Sequence, residues 1–395
     1  MRESAAQGVM MVAGEPSGDR HAAEVARALR RMRPEVQLWG MGGPFMREAG
    51  VELLEEISKV TVMGIAEVLG KIRAILSARR KLLERVGETP PRLAILVDFP
   101  DFNLRLAKSL KRKGIKVLYY IAPQAWAWRP KRVNMMAKVV DHLAVILPFE
   151  EEFFRKGGVK AQFVGHPLLE ETDLKMEREE AKRVLGLSEP GSVLGLFPGS
   201  RIQEVRRMLP VMLDAANLVL NHDPEVKPVV ALSPNADEPW VRSMVGERCP
   251  RAMVRSGMAQ IVLAASDVAS VASGTVSLEA ALFEVPMIVV YRTSWFNYQV
   301  AKRLVRVRNI SLVNILAGEK IVPEIIQNDL QAGRLAQGLM ELLGSREKRE
   351  SMRAAMGKIR EKLGDGRASE KVAITALEMI DGNRHSPMPS PGGGA

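Results

Sequence analysis

Two short turns in the second half of the chain carry residue types suited to a phosphorylated ligand. The apolar run Ser192–Phe197 ends in Pro198-Gly199-Ser200-Arg201, with Glu204 just inside the helix expected to follow. Gly199 lets backbone come close to a ligand, and Arg201 offers a planar fork of donors matched to phosphate oxygens. The run Asp267–Val271 ends in Ala272-Ser273-Gly274-Thr275 and a helix carrying Glu279. Amides at such a helix start can hold phosphate, and a carboxylate one turn further in can accept from two vicinal ribose hydroxyls. A surface arginine after a tight turn, and Thr275 capping a helix with Glu279 in solvent, account for the same residues without a ligand.

The first half offers a base and another small-residue turn. Gly8–Ala13 leads into Gly14-Glu15-Pro16-Ser17-Gly18-Asp19 at a helix start, where free N–H groups and the helix dipole favour an anion. An ordinary strand-to-helix loop capped by Ser17 or Asp19 is the alternative. Leu93–Val97 ends in Asp98-Phe99-Pro100-Asp101-Phe102-Asn103. A carboxylate at the carboxyl end of a parallel strand sits where open α/β sheets bind ligands, and so suits a general base. Asp101 is expected to cap a helix from Phe102, which leaves Asp98 as the catalytic candidate. No third ligand stands near the two aspartates, so no metal is expected. Trp126, in Pro123-Gln124-Ala125-Trp126-Ala127-Trp128-Arg129, suits a sugar face, a lipid interface or core packing. His166, in Gly165-His166-Pro167, reads as a hydrogen-bonded hinge. Neither a G-x-S-x-G elbow, a Walker loop nor a G-x-G-x-x-G fingerprint is present, which argues against the chemistries those motifs serve.

The elements that must position these residues alternate along the chain. Strands are expected at Gly8–Ala13, Val36–Gly40, Leu93–Val97, Ile115–Ile121, His142–Ile146 and Gln162–Val164. The pattern restarts at Ser192–Phe197, Lys227–Leu232, Asp267–Val271 and Pro286–Tyr291. Several are too continuously apolar to be half-exposed, and their alternation with helices implies a parallel sheet. Helices are expected between them, near Arg20–Arg31, Ile65–Val86, Phe102–Lys113 and Pro130–Val139, then Glu204–Leu220, Val276–Phe283 and Trp295–Leu304. The expected fold class is α/β, with two doubly wound Rossmann-like domains facing across a cleft. Boundaries are expected at 1–168, 169–345, C-terminal helices over 346–380 that pack back across the domains, and a disordered Pro/Gly tail over 381–395.

Charge is uneven. Residues 1–168 hold 28 Lys+Arg against 18 Asp+Glu, so +10 of the chain's +11 lies there. A one-sided basic field points to an anionic partner for that half, or merely to solubility. The helix Ile65–Val86 places Ile65, Val68, Leu69 and Ile72 at three- and four-residue spacings, interleaved with Lys71 and Arg73. Such a helix can lie in an anionic membrane interface, although a core-facing stripe with a solvated basic face has the same spacing. Six basic and no acidic residues over Arg105–Lys116 favour lipid, and nucleic acid is not expected because no reader motif accompanies the charge. One cysteine and five histidines exclude an internal disulfide and a Cys/His zinc cluster. The first apolar run is too short for a secretory leader, and no apolar stretch is long enough to cross a bilayer, so a cytoplasmic or membrane-surface protein is expected.

Taken in order, Ala13–Asp19, Val62-Met63-Gly64-Ile65-Ala66-Glu67-Val68-Leu69-Gly70, Asp98–Asn103, Trp126-Ala127-Trp128, Pro198–Arg201, Ser273-Gly274-Thr275 with Glu279, and Ser311-Leu312-Val313-Asn314-Ile315-Leu316-Ala317-Gly318 resemble the lipid-A-disaccharide synthases, inverting glycosyltransferases of the two-Rossmann-domain GT-B type. The set runs from about residue 9 to 320. Arg92 departs from it, standing where the family often has Asp. The resemblance implies transfer from UDP-2,3-diacylglucosamine to 2,3-diacylglucosamine 1-phosphate, giving a β(1→6) disaccharide and UDP in lipid A assembly, with no cofactor. It implies Asp98 and Arg201 in catalysis, and Gly199, Ser200, Arg201, Glu204, Ser273, Gly274, Thr275, Glu279 and Asn314 around UDP. Glu15, Ser17, Gly18, Asp19 and Trp126 would meet the acceptor, and Ile65, Val68, Leu69, Lys71, Ile72 and Arg73 the cytoplasmic face of the inner membrane, with a homodimer as the assembly. Another nucleotide-sugar enzyme of the same fold, such as a UDP-N-acetylglucosamine epimerase or another lipid-acceptor glycosyltransferase, shares the second-domain logic but leaves Val62–Gly70 unexplained. A non-catalytic basic membrane binder leaves the phosphate turns without purpose.

Overall fold

The structure is a computed structural model that describes residues 8–57, 68–128, 131–171, 176–187, 190–234, 236–294 and 309–382. It divides into two compact units, one formed by the chain up to Glu170 together with the chain from Leu363 onward, the other by Glu171–Lys362.

The first unit has a seven-stranded sheet of β1 (Gly8–Ala13), β2 (Gln37–Gly42), β3 (Glu52–Glu56), β4 (Leu93–Val97), β5 (Lys116–Tyr120), β6 (His142–Val145) and β7 (Ala161–Phe163). Its order is β3-β2-β1-β4-β5-β6-β7, and every pairing is parallel. The two-residue period of a strand explains the apolar runs. Met10 and Val12 join one core with Leu82, Phe102 and Tyr119, while Val9, Met11 and Ala13 join a second core on the opposite face. That second core contains the alanines of helix Pro16–Met32, whose small side chains bring the helix close to the sheet.

The second unit repeats the plan with β8 (Val193–Phe197), β9 (Lys227–Leu232), β10 (Met253–Ser256), β11 (Val268–Ala272), β12 (Met287–Tyr291) and β13 (Glu324–Ile326), in the order β10-β9-β8-β11-β12-β13 and again all parallel. In both sheets the order reverses beside the first strand of the unit. The switch points therefore lie between β1 and β4 and between β8 and β11.

Three strands were not expected: β3 (ELLEE), β10 (MVRS) and β13 (EII). Each lies at a sheet edge, where strands are short and tolerate charge, so their apolar signal is weak. The C-terminal segment is divided between the two units. Helix Arg346–Lys362 belongs to the second unit, and helix Ala368–Asp381 completes the first. Ala368, Val372, Ala373 and Ala376 enter the first unit's core. Arg33 pairs bidentately with Asp381 at 3.1 and 2.7 Å, and Glu170 accepts from Ser369 N and Oγ at 2.8 and 2.6 Å. The expected tail is described only to Gly382, and its remaining residues lie outside the described ones.

Candidate active site

In the first unit the two loops flanking the switch point are those singled out by residue chemistry. Ala13 pairs with Val97 in the sheet, so the turn after β1 lies beside the turn after β4. Glu15 and Ser17 are exposed at the start of helix Pro16–Met32, and Gly18 is buried beneath them. Asp19 is a correction. Its carboxylate has no exposed surface and accepts from the N–H groups of Gly43, Phe45 and Met46 at 2.6, 3.1 and 3.2 Å. It secures the start of helix Pro44–Glu48 and is not available to an acceptor.

The turn after β4 is strained. Asp98 and Phe99 both have φ of +47°, in the left-handed region that side chains with a Cβ avoid, at a cost of about 1–3 kcal/mol each. Gly14 is part of the solution: a Cβ there would overlap the Phe99 ring, which stacks on Phe102 at 5.5 Å. Helix Pro100–Arg112 starts two residues before the expected position because Pro100 fits its first turn. Phe99 holds the N-cap position and no side chain caps it, so neither Asp98 nor Asp101 is a helix cap. Asp101 is exposed and pairs with Arg132. Asp98 sits half-buried at the carboxyl end of β4.

Trp126 and a residue the sequence reading passed over form a couple further along the same sheet end. The Trp126 Nε1–H donates to Glu150 Oε1 at 2.9 Å, and the indole meets Phe149 edge-on at 5.0 Å. Glu150 is 1% exposed, and its Oε2 accepts from Leu147 N at 3.2 Å. Burial raises its carboxyl from 4.5 to about 7, against the opposing pull of hydrogen bonds from Trp126 and from backbone N–H groups of Leu147 and Ile146. His166 is also buried. Desolvation, helped by neighbouring His21, lowers its imidazole to about 3, and the neutral ring accepts from Leu168 N through Nδ1 at 3.2 Å.

Of the membrane-contact expectations, Ile65 lies outside the described residues. Val68, Leu69, Lys71 and Ile72 fall within helix Val68–Glu88, but their side chains are not among those described. Arg73 is exposed. Further along, the helix splits: Ala78, Leu82 and Val86 are core and Ile75 and Leu83 pack on it, whereas Leu76 is 53% exposed.

In the second unit the switch-point loops are Pro198–Arg201 after β8 and Ser273–Thr275 after β11. Gly199 has φ of +105°, and a Cβ there would press on Glu204 Oε2 at 2.7 Å. Ser200 and Arg201 are exposed. Glu204 lies beneath the turn, with Oε1 accepting from the Arg201 guanidinium at 2.9 Å and Oε2 from Arg201 N at 3.4 Å. It therefore orients Arg201. The N-cap of helix Thr275–Leu282 is Gly274, which has no side chain to cap it, so the positive end of the helix is suited to an anion. Ser273 Oγ donates to Ile310 O at 3.1 Å, and Glu279 is half-buried one turn into the helix.

Asn314 is a further correction. It is fully buried, with Nδ2 donating to Val322 O and Glu324 Oε1 at 2.9 and 2.8 Å and Oδ1 accepting from Ile321 N and Val322 N at 2.9 and 3.0 Å. All four of its hydrogen-bonding positions are used inside the protein. Glu324 also accepts from Ile310 N and Ser311 N at 3.1 and 3.0 Å, so the pair shapes the loop against which Ser273 rests. Among the described residues no cluster of His, Cys, Asp or Glu side chains is arranged to hold a metal ion, and no helix is long and apolar enough to cross a membrane.

The chain is similar to known proteins over most of its length. Residues 9–377 match the family model described as lipid-A-disaccharide synthetase. The chain is 42% identical over 376 residues to the lipid-A-disaccharide synthase of Geobacter metallireducens, covering 95% of this chain and 98% of that one. It is 44% identical over 376 residues to the synthase of Anaeromyxobacter sp. strain K, covering 94% and 97%. Among solved structures, UDP-GlcNAc 2-epimerase from Neisseria meningitidis bound to UDP-GlcNAc has a TM-score of 0.66 at 13% identity, covering 94% of this chain and 100% of that one. The calicheamicin glycosyltransferase CalG4 has a TM-score of 0.60 at 16% identity, covering 98% and 100%. Both structures share the fold.

Proposed function

The chain belongs to the lipid-A-disaccharide synthase family, and from that premise we propose that it joins UDP-2,3-diacylglucosamine to 2,3-diacylglucosamine 1-phosphate, giving a β(1→6) disaccharide 1-phosphate and UDP. The observation that carries this reading is the position of the chemically marked residues. In each unit most of them stand on or just after the two loops beside the sheet's switch point, where ligands of open α/β sheets bind, with Trp126 further along the same sheet end.

The chemistry follows from those loops. Asp98 takes the proton of the acceptor 6-hydroxyl as that oxygen attacks the anomeric carbon of the donor, on the face opposite UDP. The bond from that carbon to the diphosphate oxygen breaks, and the configuration inverts. The negative charge gathering on UDP is met by the Arg201 guanidinium, which Glu204 holds at the start of helix Ile202–His222, and by the uncapped start of helix Thr275–Leu282. Gly199, Ser200, Ser273, Gly274 and Thr275 supply close backbone around the diphosphate, and Glu279 accepts from the ribose hydroxyls. Glu15, Ser17, Gly18 and Trp126 border the acceptor.

The acyl chains of both substrates place the enzyme at the cytoplasmic face of the inner membrane, as a peripheral protein. The basic balance of residues 1–168, with exposed Arg73, Leu76 and Arg80 on helix Val68–Glu88, supports contact with anionic lipid there, through Val68, Leu69, Lys71 and Ile72 and the preceding Ile65. A homodimer is the proposed assembly. Supplying both sugars and following UDP, together with the mass and anomeric configuration of the product, tests the reaction. A β-linked disaccharide that forms only when both are present is the expected result. Conversion of the donor to an epimer without acceptor would replace it with a different nucleotide-sugar chemistry.

A further inference from the structure

The turn that carries Asp98 is fixed largely at one atom. The backbone carbonyl oxygen of Asp98 accepts from Tyr119 Oη at 2.6 Å and from Asn103 Nδ2 at 2.8 Å, which occupies both of its lone pairs. The same Asn103 amide reaches Val97 O at 3.2 Å, and Asp98 N donates to Tyr120 O at 2.9 Å. The peptide planes on both sides of the Asp98 Cα are thereby held, and with them the direction in which its side chain leaves the backbone.

Two buried polar side chains serve this one carbonyl. Tyr119 and Asn103 are both 0% exposed, and Asn103 Oδ1 is buried without a hydrogen-bond partner among the described residues. A turn that had only to join a strand to a helix could use glycines at 98 and 99, which reach positive φ without such anchors. The chain keeps Asp and Phe in that conformation and holds them from the neighbouring strand and the first helical turn. Burial, and then the nearby Asp98 charge, raise the Tyr119 phenol well above its ordinary range, so it stays protonated and remains a donor.

We infer that Tyr119 and Asn103 are positioning residues that aim the Asp98 carboxylate at the acceptor hydroxyl, an inference that rests on Asp98 being the base. Neither side chain touches substrate. Each acts through the Asp98 peptide.

Tyr119→Phe removes a single oxygen from a packed ring and tests this with little change of shape. The expected result is a loss of about 10- to 100-fold in kcat, the scale of a misplacement near 1 Å, with acceptor KM and UDP affinity little changed. A structural role alone would lower the melting temperature and leave kcat of the folded enzyme intact. Asp98→Asn and the Tyr119→Phe/Asp98→Asn pair complete the cycle. If Tyr119 works through Asp98, the second substitution adds nothing once Asp98 is gone. Full kcat in Tyr119→Phe, beside a crippled Asp98→Asn, would overturn the positioning role and leave the base in place. Additive losses would also overturn it. An active Asp98→Asn enzyme would remove the base reading and this inference together. If Tyr119→Phe does not fold, Asn103→Ala measured in the same cycle is decided by the same outcomes.

Discussion

Glu150→Gln should remove a pH dependence of stability that the buried carboxyl imposes. Glu150 is raised in the folded chain from 4.5 to about 7, with burial as the main cause. Its neutral form is therefore the one folding favours. That contribution is fully present below pH 4.5 and is lost as pH rises through 7, and it amounts to about 3 kcal/mol at roughly 1.4 kcal/mol per tenfold change in proton activity. His166 acts in the opposite sense. It is lowered from 6.5 to about 3 and is folded in its neutral form, so its contribution, about 5 kcal/mol, is present above pH 6.5 and is lost as pH falls through 3. Between pH 4.5 and 6.5 the two slopes cancel, and the parent protein should be nearly flat with respect to this pair. Gln at 150 keeps the shape and the acceptor for Trp126 but cannot titrate, so the variant should lose stability with acid in that interval. Urea unfolding at a series of pH values, read by hydrogen exchange in peptides from β5 and β6, isolates the first unit. Stability of the variant relative to the parent should rise by about 3 kcal/mol from pH 4.5 to 7.5. A difference that stays constant across that interval would refute the buried-carboxyl reasoning.

Glu279→Gln should weaken UDP binding by about 1–3 kcal/mol, the range for a hydrogen bond to a charged group, and calorimetry reads it directly. Unchanged affinity would remove Glu279 from the nucleotide. Arg201→Lys should reduce turnover while leaving the melting curve in place, because a point charge replaces a planar fork that is 77% exposed on the loop; full activity would exclude it from the leaving group. Asn314→Ala should cost stability, about 1–3 kcal/mol for buried groups left without a partner, and should disturb UDP affinity only through the loop. A stable variant with abolished UDP binding would restore Asn314 as a direct contact.

The central strands were legible because parallel strands covered on both faces read as unbroken apolar runs, as in Gly8–Ala13, Leu93–Val97 and Val193–Phe197. The edges were not, since β3 is three-fifths glutamate and β13 has three residues. The switch-point loops could be found from residue type and their place after a strand. What each polar side chain does there could not. Asp19 and Asn314 have the composition of ligand contacts, yet their partners are backbone groups brought close only by the fold, 24 to 27 residues away for Asp19. Glu150 stands in the run Phe149-Glu150-Glu151-Glu152-Phe153, which reads as a solvated helix start, and its burial depends on Trp126 from another loop. The left-handed pair Asp98-Phe99 has no signal in residue type at all, since neither is glycine.

The proposed reaction depends on Asp98 as the base, and one variant tests that role most directly. Asp98→Asn preserves the shape of the turn and its backbone hydrogen bonds but cannot take up the acceptor proton. Turnover with both sugars should fall by about 10²–10⁴-fold, the usual cost of losing a general base, while UDP affinity and the melting curve stay close to those of the parent. An Asp98→Asn enzyme that turns over at the parent rate would contradict the mechanism and move the search for the base to Glu15.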